Sequence, residues 1–478
     1  MTSTVLPNPL QRPPVQKAWE APLIWPRRWP SSEERPSLVL AAGDMIQGHN
    51  WANLFQGESV IRLMNRMNFT AMVVGNHEFD FGLEVLKKRI SEARFPLLGA
   101  NVEGLPQLKP YVIKDLAGIR VAIIGVVTSD TPLSTHPRNV QGLKFLSPVD
   151  TVSHYLKALK GRADLFLVLT HQGFQADRLL AEKVKGIDVI VGGHSHTKIP
   201  QPEVVGQTII VQACEHGKAL GVLDLTVDDG KIVKFDGYLK EIKATDAPPD
   251  KKIQKIVDRY NRRLASFINE TVGETAVDLD GKNVKTRETN LGNLVADIAR
   301  QTTGAEVAII NGGSIKTGMP KGKVKAKDVY AALPFDNYLV ALKLTGRQLK
   351  ETLEHAVSRV AQRAGRFPQV SGLTFTYNPQ APAGARVKEV TIRGAPLVLE
   401  KEYLVATNDF LAAGGDGFTA FGEAIRRGGD YSDLGSTVAS KTLTYRDPGR
   451  WLRDLVIDYF KTHPKVSPQV EGRIRELE

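Results

Sequence analysis

The chain has 478 residues, of which 42% are hydrophobic and 24% charged, a composition typical of globular proteins with two or three domains. No run of about 18 apolar residues occurs, so we expect no membrane span, and the single cysteine, Cys214, excludes an internal disulfide. The net charge of +11 would suit nucleic acid, but no nucleic-acid-binding motif accompanies it. We therefore interpret the charge as solvated surface lysines that attract phosphate-bearing small molecules, and we expect no nucleic-acid partner.

Residues 1–36 differ in composition from the rest of the chain. They contain eight prolines and three tryptophans but no aspartate and no histidine. The best candidate for a secretory signal, APLIWP, is closed by proline too early. We predict a disordered arm or a misplaced start of the reading frame, without a visible signal peptide, and the compartment stays open.

From Ser37 onward, short apolar runs alternate with amphipathic stretches such as the predicted helix Glu84–Ala93. This alternation predicts a layered α/β sheet, in which ligands gather beyond the strand ends. The runs are SLVLAAGD, AMVVGNHE, VAIIGVV, LFLVLTHQG and IDVIVGGHSH.

A break near Ala244 precedes a predicted helix, Asp250–Ile268, which begins after two prolines and keeps helical spacing of its apolar residues. A second domain follows, opening with helix Asn290–Thr302 and strand Glu306–Ile310. We predict a domain over 37–243, a linker helix within 244–271 and a second domain over 272–478.

Four of the five apolar runs end in Asp, Asn or His. Carboxylate, amide and imidazole donors at several strand ends predict a divalent transition-metal site. On an extended loop, His194 and His196 would point to opposite sides, so they could face different ions or only one could ligate. The candidate ligands are Asp44, Asn76, His171, His194 and His196.

His77 and Asp80 have a different predicted role. Three residues apart, they can meet on one turn, where Asp80 would orient the imidazole and raise its basicity. A protonated His77 could stabilise charge on a phosphoryl oxygen or assist a leaving group. Asp80 could also cap the next helix, which is compatible with both roles.

Taken together, these motifs resemble the 5'-nucleotidase family. The set AGD, GNHEFDFG, THQG and GGHSHT is similar to its metallophosphatase domain, and the resemblance continues through RETNLGNLVAD, IINGGSIKTG, LPFDNYLV and NDFLAAGGDGF. It covers residues 37–475 in the family's order. It implies a metallophosphatase-type β-sandwich flanked by helices, a linker helix, a second α/β nucleoside-binding domain, and metal-dependent hydrolysis of nucleoside 5'-phosphates.

The resemblance also implies a nucleoside pocket in the second domain. Phe335 and Phe410 match the two aromatic residues that sandwich the base in the family. Asp416 matches its acceptor for a ribose hydroxyl, and Asn311 matches a polar contact of the same pocket. From composition alone, both phenylalanines would be assigned to the core.

Two substrate-binding positions depart from the family pattern. Lys285 and Lys316 stand where the family usually has arginine. Lysine keeps the positive charge but lacks the bidentate fork that arginine offers to a phosphate. We expect attraction for phosphate or carboxylate to survive with poorer orientation, so nucleotide preference can differ from the family norm.

The family's first metal motif, Asp-x-His, has no counterpart upstream of Asp44, because residues 1–43 contain neither residue type. The resemblance implies two ions, of Zn, Mn, Co or Mg. We expect one to bind tightly, through Asp44, Asn76, His171 and His194. The other would keep only Asp44 and His196 and would bind weakly.

Three interpretations remain open at this point. The first is a 5'-nucleotidase-type hydrolase whose written N-terminus is truncated or mis-started. The second is a nucleotide-binding relative without catalytic activity, with one metal site. The third is a hydrolase of UDP-sugars or 2',3'-cyclic nucleotides. The preferred base and the oligomeric state are not determined by the sequence.

Overall fold

The computed structural model describes residues 36–477, except 49, 136, 244–249, 427–431, 435–436 and 440–442. The chain is a mixed α/β protein that divides into two compact units between Arg263 and Leu264. Residues 1–35 of the predicted atypical segment, and the predicted break at Ala244, lie outside the described residues.

The first unit contains two parallel or mostly parallel sheets. The five predicted apolar runs all form strands in them. The three-stranded sheet has the order Leu40–Ala41, Ala71–Val73, Leu97–Leu98. The six-stranded sheet has the order Glu203–Val205, Thr208–Gln212, Val189–Gly192, Leu165–His171, Ile119–Val127, Tyr111–Leu116.

Buried aliphatic side chains from both sheets form one hydrophobic cluster, in which Val73 and Leu98 of the smaller sheet join Ile123 and Leu169 of the larger. Continuous apolar runs of this kind are typical of parallel strands covered on both faces. Because the strands are parallel, the loops after their carboxyl ends open at one edge, and that edge carries the polar residues singled out above.

The remaining strands and the helices of this unit lie between and after the strands of these two sheets in the sequence. Two antiparallel pairs are Val102–Glu103 with Lys144–Phe145, and Ala219–Asp228 with Lys231–Glu241. The predicted helix Glu84–Ala93 is observed as Leu83–Glu92. The helices are Asn50–Asn53, Glu58–Arg66, Leu83–Glu92, Thr131–Ser134, Pro148–Ala158 and Phe174–Lys183.

Helix Lys251–Ile268 contains the division between the two units. It begins one residue after the predicted start, because the Asp250 carboxylate accepts hydrogen bonds from the amides of Lys252 and Ile253, at 2.8 and 2.9 Å. An acidic side chain in this position satisfies amides that have no partner within the helix. Among the described residues, no helix combines the length and apolarity needed to cross a membrane.

The second unit is built on a five-stranded sheet. Strand Val307–Asn311 alternates its side chains between two hydrophobic clusters, with Val307 and Ile309 in one and Ala308 and Ile310 in the other. The sheet is therefore covered on both faces. Its order is Pro368–Ser371, Val307–Asn311, Glu402–Asn408, Tyr338–Thr345, Leu443–Trp451.

Smaller sheets and helices complete this unit. The predicted helix Asn290–Thr302 is observed as Asn290–Thr303, capped by the Thr289 hydroxyl, which accepts from the Gly292 amide. The helices are Asn290–Thr303, Ala326–Ala332, Gly346–Val357, Asp409–Ala412, Thr419–Arg426 and Leu452–Thr462. The strands are Gly322–Lys325, Thr271–Thr275, Lys465–Val466; Ala395–Pro396, Val387–Ile392, Leu373–Tyr377, Ile474–Glu476; and Ser432–Leu434, Thr437–Ala439.

Candidate active site

Three predicted metal ligands meet at the strand ends of the first unit. Donor atoms of Asp44, His171 and His194 all lie within 4.8 Å of one another. The Nε2 atom of His171 lies 2.9 Å from a carboxylate oxygen of Asp44, and 3.1 Å from Nδ1 of His194. Each residue ends or follows a different strand, so the fold assembles the cluster from segments far apart in sequence.

Glycines allow this close approach. A Cβ atom at Gly43 would lie 2.5 Å from the His171 ring, and one at Gly75 would lie 2.1 Å from the Asp44 carboxylate. Gly43 also has φ of +89°, which side-chain-bearing residues rarely adopt. The glycines before Asp44 and Asn76 are therefore steric requirements of the cluster.

The hydrogen bonds of the cluster indicate which ring nitrogen of His171 carries a hydrogen. Its Nδ1 atom lies 2.6 Å from the carbonyl oxygen of Ala42, which can only accept, so Nδ1 carries a hydrogen. In the neutral ring, Nε2 then presents a lone pair to the Asp44 carboxylate, an arrangement that a cation between them would stabilise.

Asn76 provides a second test of whether a metal ion fits. Its side chain is fully buried, and its Oδ1 atom has no hydrogen-bond partner among the described residues. Such an atom costs about 1–3 kcal/mol unless a ligand engages it. The next residue, His77, donates its amide hydrogen to Asp44 at 3.0 Å. An oxygen and nitrogen donor set of this composition suits a divalent metal ion.

Electrostatics favour the ligating forms of Asp44 and His194, but they favour the protonated, non-ligating form of His171. Burial alone would raise the pKa of Asp44, but His171, His77 and His194 together hold it well below its usual range. Burial and the neighbouring His171 lower the pKa of His194 to about 3, so this ring is neutral at physiological pH. Burial opposes a charge on His171 as well, but the adjacent Asp44 raises its pKa overall.

His196, the fifth predicted ligand, is not part of this group of three. Its ring is turned toward another loop, where Nδ1 lies 3.0 Å from a carboxylate oxygen of Glu215. Both His194 and His196 have positive φ, of 79° and 54°, so the loop between them is not the regular extended segment that the sequence suggested.

The predicted dyad of His77 and Asp80 forms on a short 3-10 helix, His77–Phe79. Nδ1 of His77 lies 2.5 Å from Oδ2 of Asp80. The other oxygen of this buried carboxylate accepts from the Thr135 hydroxyl at 2.8 Å, and the Asp80 carbonyl accepts from Asn139 at 2.7 Å. These contacts fix the carboxylate, and the carboxylate orients the imidazole.

Glu78 is a site residue that sequence reasoning missed. Its fully buried carboxylate accepts hydrogen bonds from the amides of Asp44, Met45, Ile46 and Gly75, at 2.6–3.2 Å. Burial and the charge of Asp44 raise the pKa of Glu78, against the effect of these amides. It ties the loop of Asp44 to the strand end that carries Asn76. The sequence contained one signal for this role: Glu78 is an acidic residue within the GNHEFD motif to which no ligating role was assigned.

The predicted nucleoside residues occupy the second unit. Phe335 and Phe410 are 45% and 44% exposed, so the alternative that they are core residues is wrong. Asn311 donates to the Asp416 carboxylate at 2.8 Å and is itself held by Asn408 at 3.1 Å. Asp416 has a positive φ of 54°, in a loop rich in glycine.

The two lysines also lie in this region. Nζ of Lys316 lies 4.9 Å from the centre of the Phe335 ring, within the range of a cation–π contact. Burial and the nearby charge of Lys285 lower the pKa of Lys316, whereas Asp416 opposes this effect. Lys316 is thus near an exposed aromatic ring, a second lysine and a carboxylate, a combination that suits a ligand with an aromatic ring and a negative charge.

Comparison with known proteins gives one family match for each of the two units. Residues 21–198 match the family described as calcineurin-like phosphoesterase, and residues 271–423 match the 5'-nucleotidase C-terminal domain. The 5'-nucleotidase of Diplobatis ommata is 32% identical over 95% of this chain and 84% of that protein, and the human 5'-nucleotidase is 30% identical over 92% and 82%.

A third relative is longer. The trifunctional nucleotide phosphoesterase protein YfkN of Bacillus subtilis is 35% identical over 93% of this chain, which spans 33% of that protein. The crystal structure of a 5'-nucleotidase precursor from Thermus thermophilus has a TM-score of 0.57 and 32% identity, covering 96% of this chain and 93% of that chain.

The fold and the Asp/His cluster define a two-domain phosphoesterase of the metallophosphatase class. The chain belongs to the 5'-nucleotidase family, whose members named above are phosphoester hydrolases. The family implies a divalent metal and a nucleotide substrate, and the cluster of Asp44, His171 and His194 is consistent with the metal.

Proposed function

We propose that this protein hydrolyses nucleoside 5'-monophosphates to a nucleoside and inorganic phosphate. The observation that carries the proposal is the convergence of Asp44, His171 and His194. Asn76 follows the strand that neighbours the strand before Asp44, and its buried Oδ1 atom has no hydrogen-bond partner among the described residues. A divalent ion of Zn, Mn, Co or Mg held there would polarise the phosphate and supply a nucleophile at neutral pH.

The side chains of the first unit would bind the ion and transfer protons. Asp44, Asn76, His171 and His194 would hold the ion tightly, and His196 would contribute to a weaker position. Because Nδ1 of His77 faces Asp80, proton exchange with a phosphoryl oxygen or leaving group would take place at Nε2.

The side chains of the second unit would bind the nucleoside. Phe335 and Phe410 would stack on the base, and Asp416, oriented by Asn311, would accept from a ribose hydroxyl. Base stacking on an aromatic side chain is worth about 1–3 kcal/mol in nucleic-acid systems. Lys285 and Lys316 would attract phosphate without the bidentate geometry of arginine.

The proposal is tested by chromatographic analysis of the products formed from AMP, UDP-glucose and 2',3'-cyclic AMP in about 1 mM Mn²⁺, a concentration that favours occupancy of the ion site by mass action. We expect AMP to be the best of these substrates and the variant His171→Ala to be inactive. His154→Ala, which removes an exposed imidazole from the same unit, should retain activity. Nucleotide binding without turnover at saturating metal would instead support a non-catalytic relative.

A further inference from the structure

A fully buried asparagine lies beside the predicted nucleoside residues of the second unit. Asn408 is the last residue of strand Glu402–Asn408, the central strand of the five-stranded sheet. It precedes the short helix Asp409–Ala412, which carries Phe410. The Oδ1 atom of Asn408 accepts a hydrogen bond from the Leu411 amide, at 2.8 Å, and so caps this helix. One end of the Asn408 side chain therefore holds the helix of the predicted base-stacking ring.

The other end of the same side chain faces the predicted ribose contacts. Nδ2 of Asn408 lies 3.1 Å from Oδ1 of Asn311 and 3.2 Å from Oγ of Ser314. The Ser314 hydroxyl also donates to Oδ1 of Asn311. Nδ2 of Asn311 in turn donates to Oδ2 of Asp416, at 2.8 Å. These four side chains form one continuous hydrogen-bonded path, in which Asn408, Asn311 and Ser314 are buried.

Hydrogen-bonding chemistry fixes the orientation of both side-chain amides in this path. The Leu411 amide can only donate, so the oxygen of Asn408 must face it and the NH₂ group must face Asn311. Asn311 therefore turns its oxygen toward Asn408 and its NH₂ group toward Asp416. The Asp416 carboxylate can only accept, so this last contact is satisfied as well. The backbone of the helix that carries Phe410 thus determines which group is presented to Asp416.

The loop that carries Asp416 has little conformational support of its own. Asp416 has a φ of 54°, and Gly414 and Gly417 on either side of it also have positive φ. The loop lies against the predicted stacking ring, because a Cβ atom at Gly415 would be 2.6 Å from the ring of Phe410. The contact from Asn311 holds Oδ2 of Asp416 and leaves Oδ1 to accept from a ligand. The direction of this carboxylate therefore depends on the buried path.

We propose that Asn408 is a positioning residue of the nucleoside pocket. Through Asn311 it aligns the Asp416 carboxylate for a ribose hydroxyl, at a fixed place relative to the Phe410 ring. The inference rests on the proposed function, because Asp416 and Phe410 are assigned to the nucleoside there. It attributes the preference for a ribose over a sugar without hydroxyl groups to a buried residue that does not touch the ligand.

The test compares the binding of adenosine and 2',3'-dideoxyadenosine to the full chain by calorimetry. Neither ligand carries a phosphate, so the comparison does not depend on the metal ion. We expect the parent to prefer adenosine by about 10–100-fold, which corresponds to one hydrogen bond to a charged group. Asn408→Asp keeps the helix cap but points an oxygen at Asn311, which must then turn its own oxygen toward Asp416. The preference should fall below about threefold in this variant, with dideoxyadenosine bound as in the parent.

Asn408→Asp buries a charge, so Asn408→Ser provides a second, neutral variant. Serine caps helices as asparagine does, but it is too short to reach Asn311, and the preference for adenosine should be lost here too. Adding Asn408→Ser to Asp416→Ala should not weaken adenosine binding further, because the path then ends without its carboxylate. Asn378→Ser is the matched control. It removes a loop asparagine of the same unit, which accepts from the Gln380 amide, and should bind both ligands like the parent.

The outcomes separate this inference from the proposed function. A lost preference with unchanged binding of dideoxyadenosine supports the positioning role, since a general loss of structure would weaken both ligands. A parent that prefers adenosine and an Asn408→Ser protein that keeps this preference overturn the inference alone, as does a further loss in the double variant. A parent that binds both ligands equally also overturns the ribose role of Asp416, and one that binds neither overturns the nucleoside pocket of the proposed function.

Discussion

Replacing Glu78 by glutamine should disconnect the loop of Asp44 from the strand end of Asn76. The carboxylate accepts four backbone N–H groups, two on each oxygen, and is fully buried. Glutamine has nearly the same shape but turns one of the two oxygens into an NH₂ donor. Two of the four amides would then face a donor and lose their acceptor.

The magnitude follows from those two amides. A buried N–H group left without a partner costs about 1–3 kcal/mol, so Glu78→Gln should lower the free energy of unfolding by about 2–6 kcal/mol. In a unit of this size, 1 kcal/mol shifts the melting temperature by roughly 2–4 °C, which gives a decrease of roughly 4–24 °C. The tight ion should also be bound more weakly, because the loop of Asp44 loses its anchor.

Thermal unfolding followed by circular dichroism, with metal content measured in parallel, checks both effects. Glu84→Gln is the matched control, because Glu84 has an 88% exposed side chain that pairs with Lys87 at 2.7 Å. We expect the control to stay within about 0.5 kcal/mol of the parent. A Glu78→Gln protein that melts with the parent and keeps its ion would refute the role assigned to this carboxylate.

Three further predictions concern the dyad, the base-binding ring and a buried acid. His77→Ala should lower kcat for AMP by about 10²–10⁴-fold with little change in KM, and an unchanged kcat would rule out its role in proton transfer. Phe410→Ala should weaken AMP binding in calorimetry by about 1–3 kcal/mol, whereas Phe235→Ala, in the other unit, should not; equal affinities would exclude stacking. Burial raises the pKa of Asp409 from 3.8 to about 7, so the folded state holds this proton more tightly than the unfolded chain does. Stability should fall by up to about 4 kcal/mol as pH rises from about 4 to 7, and Asp409→Asn should flatten the curve of melting temperature against pH; parallel curves would contradict the shift.

The strands that precede the candidate metal ligands are predictable from the sequence, because each is indicated by a short local run of apolar residues. Apolar runs such as LFLVLTH contain enough β-branched and aliphatic residues to identify a buried strand, and the strand ends place His171 and His194 at one edge. Helix Leu83–Glu92 follows equally from its periodicity. The helix boundaries differ from prediction by only one residue, and the start of Lys251–Ile268 differs because Asp250 caps this helix.

The partners of individual side chains are not predictable in this way. Glu78 reaches amides more than 30 residues away, and Glu215 meets His196 only because two strands happen to be parallel neighbours. A sequence pattern specifies that a strand exists, but the identity of its neighbour depends on contacts between distant segments. The contacts of Glu78 and Glu215 therefore became visible only in three dimensions.

The exposure of Phe335 illustrates the same limit at the nucleoside residues. An aromatic ring that follows an apolar helix would ordinarily turn toward the core. The Phe335 ring is exposed instead, because a buried side chain binds the backbone at this position. Arg453, almost completely buried, donates to the Phe335 carbonyl at 3.0 Å and pairs with the Asp336 carboxylate. Its guanidinium lies 4.0 Å from the centre of the Trp451 ring. An arginine 118 residues along the chain thus fixes the turn that presents the ring, and its planar fork can satisfy a carbonyl and a carboxylate together where lysine could not.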